Sequence, residues 1–174
     1  MIVKLELMED LYLEELRDLY DAEKQLLRAL PEMAGAASAE ELRSALEEHA
    51  HETESQVNRL EQVFGDLGEP SQGRKCKAMA GLIEEAKDFI EEEAEPEIKD
   101  AGLITNVQKI EHYKIAGYGS VCAHAKALGL EDQAELLHAT LAEEEETDER
   151  LNLLAETINR DAVGDEITHT GDGE

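Results

Sequence analysis

The sequence predicts an all-α fold, a four-helix bundle with one long crossover, on three observations. The chain is rich in alanine, leucine and glutamate, with only three prolines and no tryptophan, which is a helix-forming composition. Four long stretches repeat apolar residues in alternating steps of four and three, the spacing of helices that bury one stripe against each other. Each of those seams is broken near its middle by carboxylates or a histidine. The polar breaks fall at one level of the bundle.

With 174 residues, 41% of them hydrophobic, the chain is long enough for one domain with a real core. It carries 43 acidic against 16 basic residues, a formal charge of −27. That charge repels nucleic acid and anionic membrane surfaces, so neither is an expected partner. Because the acids are spread along every helix, they read as adaptation to a salt-rich cytoplasm; an acidic partner-binding surface is the competing explanation. Cys76 and Cys122 form neither a disulfide framework nor a ligand-spaced cluster, and Cys122 falls in a helical core pattern. No secretion signal or apolar span is visible, so a soluble, cytoplasmic protein is expected.

The first helix covers about residues 4–37 on the seam Tyr12, Leu16, Leu19, Glu23, Leu26, Leu30, Met33, with Pro31 expected to kink its last turn. Ser38 and Glu41 form an S-x-x-E capping box that starts the second helix. The near absence of a loop requires the two to fold back antiparallel. The second seam reads Leu42, Leu46, His49, Thr53, Gln56, Leu60, Val63, with Glu52 on its shoulder, and Gly65 and Gly68 end the helix. Residues 66–97 form the crossover, carrying a short helix through Met79, Ile83, Ala86 and Ile90. The third long helix runs over about 97–128 on Ile104, Gln108, Glu111, Ile115, Tyr118, Cys122, Ala125, and Gly129 stops it. The fourth runs over about 131–159 on Leu137, Leu141, Glu144, Asp148, Leu151. Residues 1–160 thus make the bundle and 161–174 a flexible acidic tail.

Counted from the turns at ~1.5 Å per residue, Glu23 lies level with His49 and Glu52 at roughly 17–21 Å, and Glu111 with Glu144 and Asp148 at roughly 22–28 Å. Buried carboxylates cost several kcal/mol unless they meet partners, protons or a cation. One Glu on each of two helices and a ligand pair on each of the others is the pattern of carboxylate-bridged dimetal sites. The expected ligands are Glu23 and Glu111 as terminal or chelating carboxylates, Glu52 and Glu144 as bridges, and His49 as the nitrogen ligand. Asp148 is either a ligand or a hydrogen-bonding partner of one, and Thr53 and Gln56 orient the set. Oxygen-rich ligation with one imidazole favours two iron ions, or manganese. Tyr12, Tyr20, Tyr113 and Tyr118 are expected to fill the core or to hydrogen-bond carboxylates.

The segments DLYDAEKQLLRAL (18–30), HETESQVNRLEQVF (51–64), CKAMAGLIEEA (76–86), KIEHYKIAGYGS (109–120) and TLAEEEETDERL (140–151) resemble the YciF-like family of bacterial and archaeal ferritin-like proteins. The resemblance implies a rubrerythrin-like or ferritin-like bundle with an added crossover helix, a homodimer, and a link to stress responses. It departs from the ferritin ligand pattern at His49-x-x-Glu52, where ferritins carry Glu-x-x-His, and at Glu144 and Asp148 on the fourth helix. The expected function is a dimetal-carboxylate protein handling iron, or oxygen or peroxide, under stress; the enzyme class that the resemblance suggests is a rubrerythrin-like di-iron oxidoreductase or peroxidase. The alternative is a metal-free acidic helical dimer with an interaction or structural role.

Overall fold

A computed structural model describes residues 5–164. Five helices follow one another: α1 (Met8–Ala36), α2 (Glu40–Leu67), α3 (Lys77–Glu91), α4 (Pro96–Ala127) and α5 (Glu131–Val163). The four long ones form the bundle, with α1 beside α2, α2 beside α5, α5 beside α4 and α4 beside α1. The crossover helix α3 lies along the outside, against α1 and α4. No described helix is long and apolar enough to cross a membrane.

The seams of α1 and α2 are buried at every position expected, from Tyr12 to Met33 and from Leu42 to Val63. Helix α1 runs through Pro31 to Ala36. Helix α2 passes through Gly65 and ends at Gly68, whose φ of 68° is the left-handed turn that glycine adopts without strain. The start of α2 differs from expectation. Its N-cap is Ala39, with no side-chain cap from Ser38. Asp100 of α4 serves instead, accepting from the Ser38 and Ala39 amides at 2.7 and 2.8 Å. A carboxylate from a neighbouring helix satisfies the two amides just ahead of the first turn and suits the positive end of the helix dipole better than a hydroxyl.

The residue before it, Lys99, donates to the carbonyls of Phe89, Ile90 and Glu92 at the end of α3. The first turn of α4 therefore ties down the end of one helix and the start of another. Phe89 seats against Gly102, where any side chain would collide: an added Cβ would lie 1.9 Å from the ring. Cys76 opens α3, its sulfur accepting from the Met79 amide, and its own amide donates to Asp21 of α1 at 2.7 Å. Helix α5 extends past the expected end at residue 159 to Val163. Most of the expected acidic tail, residues 165–174, lies outside the described residues.

Two apolar clusters fill the interior. One gathers Leu26, Leu30, Met33, Leu42, Leu46, Leu103, Val107 and Leu151 with the buried side of α3. The other gathers Tyr12, Leu16, Leu60, Val63, Tyr118, Val121 and Leu137 at the opposite end. A layer of buried polar residues separates them.

Candidate metal centre

That layer draws one or more residues from each long helix: Glu23 from α1, His49 and Gln56 from α2, Glu111, Lys114 and Tyr118 from α4, and Glu144 from α5. All are at most 1% exposed. Seam geometry puts them there, since each occupies the inward position between a leucine, valine or isoleucine layer above and below it.

At the centre is Lys114. Its ammonium lies 3.0 Å from Glu23 Oε2 and 2.7 Å from Glu144 Oε2, and it donates to Gln56 Oε1 at 3.1 Å. Gln56 passes the chain outward by donating to Glu143 at 3.2 Å, and Arg59 clamps Glu143 with two bonds of 2.6 Å. Tyr118 donates to Glu23 at 2.7 Å. On the other side, His49 Nε2 lies 2.9 Å from Glu111 Oε1.

The electrostatics follow from this packing. Burial pushes the Lys114 ammonium down, but Glu144, Glu23 and Glu111 outweigh it and hold its pKa well above the ordinary range. Burial likewise opposes charge on His49, and Glu111 reverses that, raising the imidazole to about 10. Glu111 is disfavoured as an anion by burial, yet His49 and Lys114 bring its carboxyl to about 2. Glu144 goes the other way. Burial and then the neighbouring Glu111 outweigh Lys114 and lift its carboxyl well above the carboxylate range. Lys114 is thus paired with Glu23 and Glu144, and His49 with Glu111.

Of the six expected ligands, the structure gathers His49, Glu111 and Glu144, with one ligand atom of each within 4.8 Å of the others. Glu23 shares the layer but faces Lys114. Glu52 stands at the edge, its Oε2 3.7 Å from His49 Nδ1, and accepts from Thr147 at 3.4 Å. Asp148 turns away, 3.2 Å from His112 Nε2 and accepting from Gln108 at 3.3 Å. Thr53 bonds back to the His49 carbonyl on its own helix at 2.8 Å. Three of the four tyrosines donate to carboxylates: Tyr20 to Glu61, Tyr113 to Asp18 and Tyr118 to Glu23.

Lys114 escaped the reading of the sequence. From Glu111 a step of four leads to Ile115, and an isoleucine is the natural core choice because lysine is almost never fully buried unless paired. The structure takes the step of three. The signal available was the excess of inward carboxylates, which demands a cation, and a lysine three residues after Glu111 lies on the same helix face.

The His49, Glu111 and Glu144 group could hold a metal ion. His49 Nδ1, Glu111 Oε2 and Glu144 Oε1 are buried without a hydrogen-bond partner, while Glu23 Oε2 and Glu144 Oε2 meet only the Lys114 ammonium. Such orphans are rare in native interiors and mark a place for an ion or water. Lys114 lies between Glu23 and Glu144 and supplies a fixed cation to both.

Comparison with known proteins places the chain among relatives. The chain is 45% identical over 157 residues to protein YciF of Escherichia coli, covering 89% of this chain and 95% of that one. It superposes on the crystal structure of the E. coli stress protein YciF with a TM-score of 0.87 at 43% identity, over 90% of this chain and 99% of that one. YcfI from Rhodopseudomonas palustris gives a TM-score of 0.84 at 41% identity, over 87% and 97% of the two chains. A family model matches residues 7–163. The chain therefore belongs to the DUF892 family, a domain of unknown function.

Proposed function

We propose that this bundle binds one first-row divalent cation, iron or manganese, through His49, Glu111 and Glu144, and serves a stress response through that ion. The observation that carries the reading is the buried convergence of His49, Glu111 and Glu144, which also leaves His49 Nδ1, Glu111 Oε2 and Glu144 Oε1 without a hydrogen-bond partner. One imidazole and two carboxylates suit iron or manganese rather than a thiolate-loving metal. A resident ion would supply one-electron chemistry toward a small oxidant such as peroxide.

The chain's own residues do the rest. Lys114 holds a fixed positive charge against Glu144 and Glu23, in place of a second ion. Tyr118 keeps its proton, because burial and then Glu23 and Glu144 raise it well above its ordinary range, and so fixes Glu23 by donating to it. The apolar clusters above and below exclude bulk water.

A metal-free scaffold is the second reading, favoured by one observation: Lys114 and His49 already pair with carboxylates inside the layer. Elemental analysis after equilibrium dialysis against Mn2+ separates the two. The metal reading expects one ion per chain in the wild type and none in the His49→Gln and Glu144→Gln variants. No bound ion in the wild type overturns it in favour of the scaffold. Two ions per chain overturn the single-site assignment.

A further inference from the structure

The layer is sealed by apolar residues at both ends of the bundle but not on its flank. Between α2 and α5 lies a cavity of about 70 Å³ whose wall includes Leu46, Glu48, His49, Glu52, Thr147 and Arg150. His49 belongs to the proposed ligand set and is 1% exposed, and its Nδ1 has no hydrogen-bond partner. A buried imidazole nitrogen therefore borders a space that reaches toward the surface.

We infer that this cavity is the port through which a divalent cation reaches the centre. Charge selects the ligand class. Glu48, Glu52 and Glu146 line the cavity against the single cation Arg150, and the chain as a whole carries −27. A cleft lined by one sign of charge concentrates ions of the other. Glu52 is the intermediate stop. Its carboxylate lies 3.7 Å from His49 Nδ1 and is part exposed, so it touches both the solvent side and the buried donor.

Two polar bridges close the port, each joining α2 to α5. Arg150 pairs with Glu48 at the outer edge, both residues about half exposed, and Thr147 donates to Glu52 at 3.4 Å. An exposed ion pair of this kind is weak in water, so it opens readily without disturbing the buried layer. The geometry also accounts for Glu52 standing off the centre although its spacing from His49 marks it as a ligand. Its place is on the way in.

This inference rests on the single-ion reading, and the experiment keeps the two apart by measuring rate and occupancy separately. Co2+ uptake by the metal-free protein is followed through its visible absorption after stopped-flow mixing, with final occupancy measured on the same samples. Thr147→Phe places a ring in the cavity and should slow uptake several-fold at unchanged final occupancy. Arg150→Ala removes the bridging cation and should speed uptake several-fold, also at unchanged occupancy. If wild type and both variants fill at one rate to one ion per chain, the port is overturned and the site stands. Absence of Co2+ binding in the wild type overturns both. Arg150→Ala alters only an exposed residue and keeps the test decisive if Thr147→Phe fails to fold.

Discussion

The two sides of the buried layer solve one problem with different cations. On one side Lys114 meets Glu23, Glu144 and Gln56; on the other His49 meets Glu111, with Nδ1 left over. Both cations are fully buried and both pair with carboxylates, yet they differ in what they can give up. A lysine between two carboxylates keeps its proton at any physiological pH. An imidazole can release its proton and become a neutral nitrogen ligand, the form that binds metals. One side is a permanent internal counter-ion, and the other is exchangeable. A tethered ammonium serves the carboxylates of one side, and the imidazole serves that of the other.

The largest expected effect comes from breaking the permanent side. Lys114→Ala leaves Glu23 and Glu144 without their cation, and removing one partner of a buried pair costs about 3–5 kcal/mol. Denaturant melts of the metal-free variant should show that loss. Mn2+ should restore part of it, and binding should rise from one ion per chain to two, because the vacated position is again bordered by two carboxylates. A variant that stays at one ion would show that Lys114 does not stand in for a second.

Breaking the exchangeable side should cost less. In Glu111→Gln the imidazole loses its counter-charge but can drop its proton, so the loss is about 1–3 kcal/mol, that of an unmet buried hydrogen bond. The same pair sets a pH signature in the metal-free wild type. His49 sits at about 10 when folded against an ordinary 6.5, so its stabilisation is complete below ~6.5 and is lost as pH rises through 10. Glu111 sits at about 2 against 4.5, so its share is complete above ~4.5 and is lost as pH falls through 2. Unfolding free energy should therefore decline from pH 6.5 towards 9.5, and Glu111→Gln should flatten that slope. An unchanged slope in the variant would separate His49 from Glu111.

The smallest effect tests where the site ends. Asp148 sits one turn beyond Glu144 but faces Gln108 and His112 at the edge of the bundle. Asp148→Ala should cost less than about 1 kcal/mol, as partly exposed ion pairs do, and leave metal stoichiometry untouched. Loss of the ion in that variant would return Asp148 to the ligand set.

Much of this protein was legible before any coordinates. Heptad spacing located the helices, because a helix packed in a bundle must repeat its apolar stripe. Mid-seam polar residues located the level of the buried layer, because carboxylates among leucines must meet something. Gly68 and Gly129 marked turns, each adopting the positive φ that other residues resist. Tertiary structure alone decided what the layer contains. Steps of three and of four are both compatible with one helical face, so only packing against α1, α2 and α5 could select Lys114 over Ile115. The cap of α2 depended on a carboxylate 61 residues away, which local sequence cannot register. Asp148 and Glu144 are one helical turn apart, and periodicity treats them alike. A rotation of α5 of tens of degrees places one against Lys114 and the other at the rim. Periodicity fixes a stripe, whereas the identity of a buried partner depends on which stripes meet and at what angle.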